Sequence, residues 1–343
     1  MKFDSFINSK RFQRSTYQFI SGLFIYGLSI LFITFFPFYK GYLNPQTLMV
    51  LRYLYLSYIV FGLPFCYVSN EKNSKPQELL SILNKAPDLI KDYSYNFLRK
   101  EKTPLDLTER EKIVLRFSLV KFFYIPLMIS FTVGNIGGFK NSLSKDSLNL
   151  LLSDFGNNYV IVTQLFFAID TFIFCFGYIF ESKFLKNTLR SVEPTVFGWV
   201  VALATYPPFN NPASNVFGWY SNDRFTFPNP LIDTLLKVMI IIAIGVYLWA
   251  TLSLGTKASN LTNRGIVTYG AYKHIRHPAY AGKVLAWWIM ILPNFSFAAV
   301  VSMIGWTSIY YLRAITEEKH LITDPDYQSY IKNTRYRFIP GVI

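Results

Sequence analysis

Long apolar runs separated by short charged stretches make up most of this chain. Tyr17 to Phe38, Leu48 to Val68, Ile113 to Val133, Tyr159 to Phe180 and Leu231 to Leu254 each approach or exceed the roughly 20 apolar residues that carry a helix across hydrocarbon. Three shorter runs, Thr195 to Phe209, Ala279 to Pro293 and Ser296 to Leu312, are marginal by length. Little more than Pro293 and Asn294 separates the last two, which predicts a tight helical hairpin. Taken together the runs predict an all-α polytopic membrane protein with about eight transmembrane helices.

Charge between the runs sets their direction, because short cytosolic loops collect Lys and Arg. Lys2, Lys10, Arg11 and Arg14 place the N-terminus in the cytosol, and the 39–47 connection, with only Lys40, belongs outside. Nine basic residues bring the 69–112 segment back inside. The 134–158 loop goes outside, and Lys183, Lys186 and Arg190 return the chain to the cytosol. The 210–230 connection carries only Arg224 and fits the outside if Thr195 to Phe209 crosses. Both ends, and the segment from Lys257 to Lys283, then face the cytosol. Within 69–112 a loose helical period predicts a helix lying on the membrane or packed on the end that carries the candidate chemistry, and Thr108 with Glu111 has capping-box spacing. Lys121 and Asp170 fall inside spans, where ionisable groups are costly and usually paired, so an ion pair between them is expected.

Composition narrows the classes. Of 343 residues, 52% are hydrophobic, 18% aromatic and only 16% charged, too apolar for an average soluble domain. Cys66 and Cys175 lie inside apolar runs, so neither a disulfide framework nor a thiolate metal site is indicated. The formal charge of +14 is spread over loops rather than along one soluble face; it suits anionic lipid headgroups and not nucleic acid. The basic N-terminus begins like a signal peptide, but the run after it is too long and lacks a small-residue cleavage site. It reads as a retained first span.

Candidate chemistry is concentrated in GAYKHIRHPAYAGKVLAWW, Gly270 to Trp288, and in TEEKHL, Thr316 to Leu321. Gly265, Gly270, Gly282 and Pro278 argue against one continuous helix there, and irregular backbone at membrane level needs protein or water to satisfy it. The hairpin returns the chain to the same face at Arg313, Glu317, Glu318 and His320. Cations, imidazoles, phenols and two carboxylates thus converge at one mouth. Such a set suits a polar ligand bearing both charges: arginine for a carboxylate or phosphate, a carboxylate for an ammonium, rings for a base or sulfonium. His274, His277 and His320 with the glutamates could instead ligate zinc or iron, but the alternation of His and Arg with aromatics does not favour a metal, and none is assigned. Lys273 and Lys283 read as anchors at headgroups. Absence of GxGxxG and P-loop signatures leaves a soluble-type nucleotide fold unsupported.

At these residues the chain resembles the superfamily of isoprenylcysteine carboxyl methyltransferases and phospholipid methyltransferases. The resemblance rests on GAYKHIRHPAYAG, a helical hairpin, EEKHL, Tyr327 with Tyr330, and RYRFIPG at Arg335 to Gly341, and covers about the last third of the chain. It implies S-adenosylmethionine bound at the cytosolic surface, in a pocket formed by the C-terminal third, and a methyl group passed to a lipid-borne or amphiphilic acceptor. By that carry-over Tyr272, His274, His277, Tyr280, Gly282 and Glu317 line the cofactor site, and Arg276 and Glu318 are the catalytic pair. Residues 1–230 would form an N-terminal transmembrane region and 231–343 the methyltransferase-like core. Asp324-Pro325-Asp326 stands where many members carry Phe-Gly, which puts the tail's contact with the cofactor in doubt. Two other classes stay open: a membrane sterol or lipid reductase using NADPH, which shares an RHP-like motif, and a non-enzymatic transporter or scaffold built on Lys121 and Asp170.

Overall fold

The apolar runs fold as helices. The computed structural model describes residues 9–69, 72–98, 107–145, 155–222 and 224–342. The chain divides into two compact units, 1–126 and 127–343.

In the first unit α1 (Lys10–Phe35) and α3 (Thr47–Ser69) are joined through the short α2 (Pro37–Lys40), and α1 packs on both α3 and α4 (Lys75–Leu98). Ser9 caps α1 by accepting the Phe12 N–H. Close approach of α1 and α3 depends on Gly22, whose missing side chain makes room for the Tyr58 ring. The helix expected within 69–112 is α4, which buries Ile82 and leaves Ile90 exposed. Arg110 pairs with Glu78, and Lys85 with Glu111 at 2.7 Å, tying α4 to the start of α5 (Glu109–Lys145). The predicted capping box is present: the Thr108 N–H donates to Glu111 Oε2 at 2.9 Å and the Glu111 N–H to Thr108 Oγ1 at 3.3 Å. The rest of the basic stretch, 99–106, lies outside the described residues.

The second unit takes the far part of α5 and adds α6 (Phe155–Ile179), β1 (Ser191–Val192), α7 (Val196–Leu203), α8 (Asn211–Phe217), α9 (Pro230–Leu254), β2 (Thr262–Asn263), α10 (Pro278–Met290), α11 (Phe297–Leu321) and α12 (Pro325–Asn333). Its core forms where α6, α9 and α10 meet, around Leu236, Ile240, Ala243, Ile244, Ala286 and Ile289. Gly282 of α10 sits so close to α9 that a Cβ there would lie 2.6 Å from the Ala243 carbonyl oxygen and 2.9 Å from the Tyr247 nitrogen. Many other Leu, Ile and Phe side chains stay exposed on helix faces, Leu31, Phe61 and Leu252 among them, as lipid-facing side chains would be.

Among the described residues six helices are long and apolar enough to cross a membrane, namely α1, α3, α5, α6, α9 and α11. Eight were expected; the two shortfalls have distinct causes. The hairpin is real, but α10 spans only 13 residues before a 3-10 turn at Leu292–Asn294. The Thr195 to Phe209 run makes a helix of only eight residues. Pro207, Pro208 and Pro212 follow, and proline cannot continue a helix interior. The stretch nonetheless travels beside α11: Ser191 meets His320, Thr205 meets Arg313, and the Gly218 carbonyl accepts from Ser302 and Trp306. From position 320 to 302 α11 rises about 27 Å at about 1.5 Å per residue. The stretch therefore runs alongside α11 over that length, as α7 and α8 in series rather than as one rod.

Asp170, expected to pair with Lys121, has hydrogen-bond partners within its own unit. Asp170 on α6 accepts from Tyr247 and Thr251 of α9, each at 2.6 Å, and the cation acting on it is Lys283. Lys121 lies over the Phe117 ring. Hydroxyl donors one turn apart on α9 thus supply the hydrogen bonds that a buried carboxylate needs.

Candidate active site

Four pieces of chain build the site: the 270–277 loop, the start of α10, the last turns of α11, and the 334–338 tail. Gly270 turns the loop at a φ of +61°, where a Cβ would collide with Ser253, and the Ala271 N–H donates to Ser253 Oγ at 3.2 Å. A 3-10 turn follows over Gly270–Lys273. Pro278 occupies the first turn of α10, where its missing N–H costs nothing.

Glu318 is the hub. Its Oε1 accepts from Arg276 Nε at 2.8 Å, His277 Nε2 at 3.1 Å and Arg337 Nε at 3.0 Å, and its Oε2 from Arg337 Nη2 at 2.8 Å. The tail is held along its backbone as well: the Arg276 and His277 N–H groups donate to the Tyr336 and Arg337 carbonyls, each at 2.9 Å. Arg276 Nη1 donates to the carbonyl oxygens of Arg335 at 2.9 Å and Thr334 at 3.4 Å. That leaves Nη2 of Arg276 with no protein acceptor among the described residues. Glu317 similarly uses only Oε2, which accepts the Tyr280 hydroxyl at 2.7 Å. An unspent guanidinium nitrogen and an unspent carboxylate oxygen therefore lie on adjoining parts of one cluster.

Aromatic rings wall this cluster. His277 stacks on Tyr280, with centroids 5.3 Å apart and planes 10° from parallel, and Phe338 covers it at 5.7 Å. Tyr280 meets Tyr310 edge-on at 5.4 Å, and the Arg313 guanidinium lies 5.1 Å from the Tyr280 centroid. Burial, helped by the Glu317 charge, pushes the Tyr272 phenol well above its ordinary pKa, so it stays an O–H group. Burial likewise raises Tyr330, whose hydroxyl donates to the Tyr272 carbonyl at 2.7 Å.

Of the residues singled out by sequence, Arg276, His277, Tyr280, Glu317 and Glu318 come together, with Tyr272 beside Glu317. His274 does not join them. It is exposed, with its ring 5.8 Å from that of Trp249. Gly282 lies at the α9 contact described above. His320 binds Ser191 at 2.8 Å and approaches Glu193 at 3.8 Å, closing the base of α11 rather than the Glu318 cluster.

Two features escaped the sequence reading. Arg337 stood in the quoted RYRFIPG stretch, but nothing in its spacing reveals that it reaches back 19 residues to Glu318. Asp324 and Asp326, set apart above as a departure, anchor α12: Asp324 Oδ1 caps the Asp326 N–H, and Arg190 holds both carboxylates at 2.9 and 2.6 Å. Asn263 adds a 2.7 Å bond to Asp324. Because Ser191 and Val192 pair with Asn263 and Thr262, this clamp fastens the loop ahead of α7, the loop after α9 and the helix after α11 to one another.

Beside the cluster, toward the middle of α10 and α11, lies a cavity of about 220 Å³. Lys283, Trp287, Trp306 and Tyr310 line it from the hairpin, and Thr205, Asn210, Ser214 and Trp219 from the broken passage, so residues ahead of 231 share in it. Lys283, read from sequence as a headgroup anchor, turns inward. Its ammonium lies 5.5 to 5.7 Å from the ring centroids of Tyr247, Trp287 and Tyr310.

No curated protein matches the chain. Residues 230–324, which carry α9, the loop, the hairpin and both glutamates, match the phospholipid methyltransferase family model, so this region is a phospholipid methyltransferase domain within the superfamily of integral membrane methyltransferases.

Proposed function

We propose that the protein transfers a methyl group from S-adenosylmethionine to a lipid-borne or amphiphilic acceptor, with residues 231–343 as its core and the Glu318 cluster facing the cytosol. One observation carries the reading: the unspent Nη2 of Arg276 and Oε1 of Glu317 offer opposite charges from one aromatic-walled cluster, which fits the paired carboxylate and ammonium of a methionine-derived ligand. Arg276 would hold the carboxylate and Glu317 the ammonium. His277, Tyr280 and Tyr272 would supply the rings and the hydroxyl edge. The cofactor contributes an electrophilic methyl carbon.

The rest of the task belongs to the protein. Methyl transfer is an in-line displacement, in which placement and electrostatics dominate. Glu318 has four donor contacts on its two oxygens, so its part is to fix Arg276 and His277 in one geometry rather than to take up a proton. The six helices long and apolar enough to cross a membrane support an acceptor drawn from the bilayer.

Incubation of membranes containing the protein with a radiolabelled methyl donor, followed by separation of lipid and protein fractions, tests the reading. Label is expected in one acceptor fraction. Arg276→Ala and Glu318→Ala should each lower incorporation by about a hundredfold or more, the scale lost with a charge-stabilising group. Thermal stabilisation of purified protein by S-adenosylhomocysteine and not by NADPH separates this activity from the reductase alternative. Stabilisation by NADPH alone would overturn it.

A further inference from the structure

The cavity beside the Glu318 cluster has the make-up of an aromatic cage, yet its rings are already engaged. Cages of this kind take up methylated or primary ammonium groups through cation–π attraction. Here the protein's own Lys283 sits over Tyr247, Trp287 and Tyr310. Among the described residues no carboxylate oxygen lies within 4.0 Å of that ammonium. Asp170 acts on it electrostatically, but both Asp170 oxygens accept hydroxyls of α9 at 2.6 Å. The Tyr310 side chain hydrogen-bonds to the ammonium, which is otherwise attracted from behind with no carboxylate capping it. Asn210, Ser214 and Thr205 add polar groups to the same wall, and Trp219, 48% exposed, stands at its outer side.

We propose that this cavity receives the anionic head of an amphiphile, a carboxylate or a phosphate ester, and that Lys283 selects it over an ammonium head. As the acceptor pocket of the activity proposed above, it would favour acceptors with a negative group and disfavour ethanolamine-like or choline-like ends. A cationic head would meet a like charge over rings that are no longer available. An anionic head would gain a charge-assisted hydrogen bond where little water competes. A volume of about 220 Å³ falls below the roughly 300–1,000 Å³ of pockets that enclose whole ligands. It suits a head and its first methylenes, with the chain left in the bilayer.

Binding is read without any methyl transfer, so failure here and failure of the enzymatic reading are distinguishable. Trp219, Trp287 and Trp306 line the cavity, and their fluorescence reports its occupation. The full-length protein in a neutral maltoside detergent is titrated with dodecanoate, dodecyl phosphate, dodecanol and dodecyltrimethylammonium. Whichever anion binds better identifies the head chemistry, and it should bind about tenfold or more tightly than the ammonium or the alcohol, the span of one charged hydrogen bond. Lys283→Gln should erase that preference and admit the ammonium, whereas Lys283→Arg should keep it. The glutamine variant also separates this local effect from the overall charge of +14, which it changes by only one. Equal or tighter binding of the ammonium by the unaltered protein would overturn the proposal, as would no response to any of the four. A retained anion preference in Lys283→Gln would do the same. So would loss of S-adenosylhomocysteine binding in Lys283→Gln with amphiphile binding unchanged, which would assign the cavity to the donor's carboxylate. The comparison among amphiphiles in the unaltered protein needs no variant to fold.

Discussion

Gly282 shows how one position can carry a packing demand that its motif does not announce. It belongs to the motif run that points to a cofactor, yet its close neighbours are the Ala243 carbonyl and the Tyr247 amide of α9. Gly282→Ala would force backbone apart where neither helix has a flexible atom to move. It is expected to destabilise the protein by about 1–3 kcal/mol, measured as a lower unfolding temperature in detergent, with the Glu318 contacts displaced as α10 shifts. An unchanged melting temperature would refute the close contact. At the same scale the coming together of Arg276, His277 and the two glutamates was legible, because charged and aromatic residue types cluster between apolar runs. What each atom does was not. The spent and unspent nitrogens of Arg276 depend on where carbonyls 334 and 335 fall, and no spacing encodes that.

Elements inherit their placement from a few polar locks. Burial tends to raise the Asp324 carboxyl, but hydrogen bonds from Arg190, Asn263 and the Asp326 N–H outweigh it and hold the group below its usual range. A depressed folded pKa gives stability that is fully present above the ordinary carboxylate value, near 3.9, and that disappears as pH falls through the lower folded value. Asp324→Asn should therefore melt lower than the parent protein at neutral pH, and the gap should stay constant down to about pH 4 and close beneath it. A gap independent of pH across that window would assign the loss to geometry alone. The Thr108 and Glu111 box makes a simpler test, since Thr108→Ala removes an N-cap worth about 1 kcal/mol, read from the denaturation midpoint. Both the box and the hairpin were visible in sequence because their signals are local. The broken passage was not. Its apolar content gave the same signal as a rod, and only the prolines after Leu203 separate the two outcomes.

At the scale of the whole molecule, charge and parity ask for the 210–230 connection and the Glu318 cluster to face opposite compartments. In the second unit they do lie at opposite ends of the hairpin: Ser221 contacts Met290 at the far end of α10, while His277 meets Glu318 at the near one. Both native cysteines are buried, so introduced thiols report with little background. Asn222→Cys should react with an impermeant maleimide in intact cells, and Ser329→Cys only after the membrane is opened; the same response from both would refute the topology. Glu318, finally, gathers its partners from positions 276, 277 and 337. Since a chain is synthesised and folds from its N-terminal side, the glutamate is made with two of its three donor residues already in the chain and waits for the third. The Glu318 cluster is thus among the last parts of the protein to mature, completed by a single closing step after the long helices that precede it.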